Sequence, residues 1–190
     1  MKEVAVVVDI DETILDNSPY EAKCILNDVA YPEGWDSWMK KSDAKPIPGA
    51  LEFVRYAQSK GVHVFYISNR DQEYFKYTLT NLEKLGFPFA QEDHLFLKRG
   101  ESSKKERRTM VERQYRVVML IGDNLADFSD IFENKNIQDR FIVADRISEK
   151  FGSEFIVLPC AIYGDWLKAV YMADPSAGPE VKADMRRSAL

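Results

Sequence analysis

The sequence predicts an α/β fold, a three-layer sandwich in which helices cover both faces of a central parallel sheet. Three observations carry this expectation. Short β-branched runs recur along the chain, the form taken by strands buried on both faces. Segments of helical periodicity lie between those runs, which makes right-handed βαβ crossovers the natural connection. The 190 residues, 45% hydrophobic and 30% charged, suit one well-packed domain.

Val4 to Val8 is the first strand run. Residues 17–47 then interrupt the rhythm and bring Tyr20, Tyr31, Trp35 and Trp38 into a short stretch, read as a small helical insertion over the sheet's carboxyl edge. A helix follows over 48–60, with Pro48 at its start and Gly61 after its end. Its Ala50, Phe53, Val54 and Ala57 fall at i, i+3, i+4 and i+7, one apolar face. Val62 to Ile67 is the second strand run, and 71–85 a second helix closed by Gly86. Lys104 to Gln114 reads as a third helix, Val117 to Ile121 as the third strand, Leu125 to Glu133 as a fourth helix and Phe155 to Leu158 as the fourth strand. These elements make one domain over 1–173. The polar, Pro- and Gly-bearing segment 174–190 reads as a peripheral arm.

Composition narrows the partners. A net charge of −5 argues against a nucleic-acid polymer. The one basic run, Lys104 to Arg108 ("KKERR"), reads as a solvated helix face. Cys24 and Cys160 stand far apart, in no metal-like or redox-like spacing, and read as structural thiols. No apolar run reaches the length of a membrane-spanning helix, and no charged leader with an apolar core precedes the first strand.

Ligands of open α/β sheets sit outside the carboxyl ends of the strands. Four strand ends here carry polar chemistry: Asp9-Ile10-Asp11-Glu12-Thr13, Ser68-Asn69-Arg70, Gly122-Asp123-Asn124 with Asp127 beyond, and the stretch from Pro159 to Trp166. A lone Asp-x-Asp after a strand is usually a turn; the coincidence of four such ends is not turn composition. Residues i and i+2 of an extended strand point the same way, so the carboxylates of Asp9 and Asp11 are expected in one small volume, joined by Asp123. Converging acids repel unless a cation sits among them. Oxygen donors without His or Cys favour a hard ion, here Mg²⁺.

Carboxylate-held Mg²⁺ suggests phosphoryl chemistry, with one carboxylate free to act as nucleophile. Asp9, first off the strand, takes that role, and Asp11 that of general acid and base. Ser68 and Lys104 would hold the phosphoryl oxygens.

The stretches "VVVDIDETILDNSPY", "IPGALEFV", "YISNR", "GDNLADF" and "FIVLPCAIYGDW" resemble, in that order, the motifs of class C acid phosphatases. These are the bacterial lipoprotein 5′-nucleotidase group of the haloacid dehalogenase (HAD) superfamily. The resemblance runs from about residue 4 to residue 166 and implies a HAD-like Rossmannoid fold. It implies Asp9 as nucleophile and metal ligand, and Asp11 as acid/base that binds metal through its main-chain oxygen. Ser68 and Asn69 would bind phosphate, with Lys104 as the third-motif lysine and Lys105 as the alternative. Asp123 would ligate Mg²⁺ directly and Asp127 through water, while Tyr20, Trp35 and Tyr163 would stack on the substrate. Trp38 is assigned to packing, Glu12 and Asp16 to shaping the first loop, and Asn17, Asn124 and Arg70 to orienting their neighbours. His63 reads as a core histidine, and His94 receives no role.

The implied activity is Mg²⁺-dependent hydrolysis of phosphomonoesters, such as nucleoside 5′-monophosphates and aryl phosphates, through an aspartyl-phosphate. A homodimer is an admissible assembly. Relatives of this kind are exported or anchored at the cell envelope, and neither their leader nor their N-terminal helical segment stands in this sequence. Two other readings use similar residues. A phosphotransferase differs only in passing the phosphoryl group to an alcohol. A phosphorylatable receiver lacks a second acid two residues after the accepting Asp, so the Asp-x-Asp-x-Thr pattern favours turnover.

Overall fold

The computed structural model of the chain describes residues 2–160, 162–171 and 176–188. β1 (Val4–Val8) leads to β2 (Leu15–Asp16), and the helices α1 (Ser18–Leu26) and α2 (Trp35–Lys41) follow before β3 (Lys45–Pro46). Then come α3 (Ala50–Ser59), β4 (His63–Asp71), α4 (Phe75–Leu85), β5 (Leu95–Lys98), α5 (Lys105–Gln114) and β6 (Arg116–Gly122). The chain closes with α6 (Ile137–Arg146), β7 (Phe155–Val157), α7 (Asp165–Val170) and α8 (Pro179–Ser188).

Five strands form one sheet in the order β5-β4-β1-β6-β7, parallel throughout, with β1 at its centre. This is why β1 carries no polar residue. Its two edges pair with β4 and β6, and its two faces enter separate cores. Val6 and Val8 pack with Val54, Tyr66 and Leu82 on one side; Ala5 and Val7 pack with Phe65, Val111 and Phe128 on the other. Each valine so removed from water contributes about 1.5–3 kcal/mol. Helices cover both faces, the three-layer α/β arrangement expected from the alternating pattern. Among the described residues no helix is long and apolar enough to cross a membrane.

The insertion after β1 is built from α1 and α2, and its two ends are joined where β2 pairs antiparallel with β3. Buried Asn81 on α4 fastens it to the sheet layer: its side chain accepts from the Ala44 N–H and donates to the Ala44 carbonyl, at 3.1 and 3.0 Å.

Several elements depart from the sequence reading. β4 runs on to Asp71, so Ser68-Asn69-Arg70 lies within the strand and α4 starts only at Phe75. Pairing with β5, which reaches Lys98 opposite Asp71, extends it. The helix expected over 125–133 is two single 3₁₀ turns. Asn124 and Ser129 each accept a backbone N–H two residues on, and such local bonds compete with a continuous helix. Sequence reading missed β5, a four-residue edge strand, and α6. The segment expected as an arm contains α8, whose Lys182 and Arg186 lie over the Tyr171 ring; residues 174, 175, 189 and 190 of it fall outside the described residues.

Candidate active site

Past β1 the chain turns tightly, with the N–H groups of Ile14 and Leu15 both donating to the Ile10 carbonyl at 2.9 Å. Ile10, Ile14 and Leu15 are buried in the core, and this anchoring directs the polar residues between them toward the carboxyl end of the sheet. Asp9 still holds the sheet register, its N–H donating to the Ile121 carbonyl at 2.9 Å. Its buried carboxylate accepts from the Thr13 hydroxyl at 3.2 Å and, on its other oxygen, from the Lys104 ammonium.

Lys104 enters from the N-terminus of α5 and bridges two strand ends. It pairs with Asp9 beyond β1 and, at 2.6 Å, with Asp127 beyond β6. Asp127 is fixed from its other oxygen, which accepts the Asn124 N–H at 3.0 Å. Only glycine fits at 122: a Cβ there would stand 2.3 Å from an Asp127 carboxylate oxygen. Lys105, the alternative on sequence, lies outside and pairs with Asp130 at 2.8 Å.

Asp9, Asp123 and Asp127 bring carboxylate oxygens within 4.8 Å of one another. Burial pushes Asp9 up to about 7 although Lys104 pulls it down. Burial, reinforced by the charges of Asp9 and Asp127, pushes Asp123 up to about 8. Burial also works against the charge of Lys104, but Asp127 and Asp9 outweigh it and hold the ammonium above its ordinary value. Once ionised, three carboxylates set against one ammonium leave two negative charges, and all the donors are oxygens. That suits a divalent hard cation. Asp9, Asp123 and Asp127 are the residues that could hold it.

Asp11 corrects one expectation. Its carboxylate does not join Asp9 in that cluster but turns to Arg70. One oxygen accepts from Arg70 Nη2 at 2.7 Å, Arg70 Nε at 3.0 Å and Asn17 Nδ2 at 2.8 Å; the other accepts from the Ser68 hydroxyl at 3.2 Å. β1 ends at Val8, and the two-residue alternation holds only where the backbone stays extended. A metal contact from Asp11 would come from its main-chain oxygen. Burial works against ionisation of Asp11, but the guanidinium outweighs it and holds the carboxyl below its ordinary value.

The basic run is a second correction. Lys104 and Arg108 are buried and Arg107 is half-buried, so only Lys105 and Glu106 form a solvated face. Arg107 donates to the Ser68 carbonyl and to Asn69 Oδ1, both at 2.6 Å. Arg108 donates to the carbonyls of Ala126 and Asp127 at 3.0 and 3.1 Å. Neither arginine was singled out from the sequence, though their spacing of three and four residues from Lys104 places all three on one side of a helix.

In the insertion, Tyr20 is only 3% exposed and meets Trp35 edge-on at 5.0 Å. So little of its ring is exposed that it does not fit the stacking role expected of it, whereas Trp35 is half-buried. Trp38 does more than pack: its indole N–H donates to Asn17 Oδ1 at 2.8 Å, supporting the residue that holds Asp11. Tyr163 reaches in from the stretch beyond β7 and donates its hydroxyl to Glu12. Burial, then the charge of Asp11, pushes Glu12 up to about 8. Both cysteines are free thiols; Cys160 donates to the Tyr163 carbonyl at 3.4 Å. His63 and His94 bond each other at 3.2 Å, at the opposite end of β4 from Ser68-Asn69-Arg70.

The sequence model for acid phosphatases of HAD superfamily subfamily IIIB matches residues 1–166. The structure of the class C acid phosphatase from Bacillus anthracis superposes with a TM-score of 0.95 at 38% identity, covering 100% of this chain and 80% of that one. The same enzyme with tungstate bound gives a TM-score of 0.96, again at 38% identity and with the same coverage. Among curated proteins, the stem 31 kDa glycoprotein of Glycine max is 31% identical over 128 residues, 64% of this chain and 50% of its own length. Vegetative storage protein 1 of Arabidopsis thaliana is 28% identical over 130 residues, 64% of this chain and 47% of its own. The chain thus spans about half the length of the curated relatives it matches.

Proposed function

The chain belongs to subfamily IIIB of the HAD superfamily, the acid phosphatases, and on that premise we propose that it hydrolyses phosphomonoesters through a covalent aspartyl-phosphate. The observation that carries the reading is the buried cluster in which Lys104 bridges Asp9 and Asp127 while Asp123 completes an acidic triad. Asp9 supplies the nucleophilic oxygen. A bond forms from that oxygen to phosphorus as the ester P–O bond breaks, and Asp11, in the protonated form that acid pH favours, gives its proton to the departing alkoxide. In the second half Asp11 takes a proton from water, whose oxygen attacks phosphorus and frees Asp9 and inorganic phosphate. Lys104 meets the transferring oxygens with positive charge, and the Ser68 hydroxyl is placed to donate to them. A divalent cation held by Asp9, Asp123 and Asp127, for which we propose Mg²⁺, would neutralise phosphoryl charge.

The Bacillus anthracis enzyme has been seen with tungstate, a tetrahedral oxyanion, bound, which supports a reading in which this fold takes oxyanions. The short insertion at α1 and α2 leaves room for varied leaving groups, so nucleoside 5′-monophosphates and aryl phosphates are the proposed substrates. The Arabidopsis relative is named for storage, and Asp9, Asp11 and Lys104 together favour turnover over storage as the reading for this chain. In the test, the wild type releases phosphate steadily from p-nitrophenyl phosphate with Mg²⁺. Asp9→Asn, by contrast, falls by about 10³-fold or more at unchanged fold. Substantial activity in that variant, or a single turnover in the wild type, refutes the reading.

A further inference from the structure

We propose that Arg70 is a positioning residue for proton transfer, holding the carboxylate of Asp11 where it can reach the leaving oxygen. This rests on the phosphohydrolase reading above. Four features point to it. The Arg70 side chain is 1% exposed, whereas that of Asp11 is 17% exposed and so open to solvent. Two donors of one guanidinium, Nε and Nη2, grip the same carboxylate, which fixes its plane as well as its position. A third donor, Nη1, is anchored behind on the buried Thr78 hydroxyl at 3.2 Å, so the fork itself cannot swivel. The Arg70 N–H also donates to Ser68 Oγ at 3.0 Å, which orients the hydroxyl on the other Asp11 oxygen.

A buried ion pair is weak evidence for stability, because desolvation cancels much of its attraction. Its distinctive product is geometry. Asp11 has lost the rigid support of β1, which ends three residues earlier, and Arg70 replaces that support from the neighbouring strand.

Leaving groups separate this role from others. Release of p-nitrophenolate needs no proton, whereas release of an alkyl alcohol does. The ratio kcat/KM reports steps up to the first P–O cleavage, before water attack. Arg70→Met is therefore expected to lower kcat/KM for n-propyl phosphate by about 10²-fold, and that for p-nitrophenyl phosphate by about threefold or less. Arg70→Lys keeps the charge without the fork and shows the same bias. Thr78→Val, which touches neither substrate nor Asp11, shows it more weakly and serves if the Arg70 variants fail to fold. An equal fall for both esters would mean that Arg70 binds phosphate or merely supports the fold. No bias in Thr78→Val, or full alkyl activity in Arg70→Lys, would equally overturn the proposal. A wild type inert toward both esters would instead sink the phosphohydrolase reading.

Discussion

Lys104 balances the charge of the site, and its neighbour Lys105 shows how narrow that assignment is. The two are adjacent and chemically identical, yet one is buried between Asp9 and Asp127 and the other extends over the surface to Asp130. Removing one partner of a buried ion pair leaves charge without compensation. Lys104→Met is therefore expected to cost about 3–5 kcal/mol of stability, while Lys105→Met stays within about 0.5 kcal/mol. Thermal or denaturant unfolding of the two variants side by side checks this, and comparable losses would contradict it. At this scale the sequence left the choice between them open, because helix entry sets which lysine points inward. The pairing of Asp11 with Arg70 was equally illegible, since nothing in the local spacing says that the loop after β1 turns one carboxylate away from the other.

At the scale of elements, α5 joins the strand ends that bear the acidic cluster. Lys104 at its N-terminus reaches the residues beyond β1 and β6, Arg107 holds Ser68 and Asn69 of β4, and Arg108 holds the carbonyls of Ala126 and Asp127. Arg108→Met frees the turn that positions Asp127. Its affinity for a divalent cation should fall about 10–100-fold, as for other residues that orient metal ligands. Arg113→Met, exposed on the same helix, should leave it unchanged. Cation titration by calorimetry reads both, and equal affinities would show that α5 does not set the Asp127 position. Polarity alone suggested a solvated face for this run, since a helix side that bonds buried carbonyls looks the same in sequence as one that bonds water. The strands fared differently. β1, β4 and β6 are legible because burial on both faces demands continuous apolar runs, whereas β5, an edge strand, alternates buried and half-buried residues over only four positions.

For the whole molecule, the acidic cluster is expected to make stability depend on pH and on a divalent cation. Asp9 and Asp123 sit near 7 and 8, well above the 3.8 of an unperturbed aspartate. Between those limits the folded chain binds more protons than the unfolded one, so stability is greatest below the unfolded value and falls as pH rises toward 8. Asp11 acts in the opposite sense, but its lowered value places its window below 3.8, clear of this range. A divalent cation favours the ionised carboxylates and offsets the loss. Mg²⁺ should therefore raise the melting temperature by several degrees at pH 8 and by much less at pH 5. Equal increments at both pH values would show that these acids are not its ligands.

The sequence by itself determined four of the five strands of the sheet, the order of its motifs and the acids gathered after its first and third apolar runs. Apolar periodicity fixes which segments are buried strands, and ligands of such sheets collect where those strands end. Only the tertiary structure decided which charges face one another. It set Lys104 rather than Lys105 between two aspartates, gave Asp11 to Arg70, and turned a basic helix inward. Those pairings depend on where loops and helices cross in three dimensions, and a charged side chain is buried only where such a crossing supplies its partner.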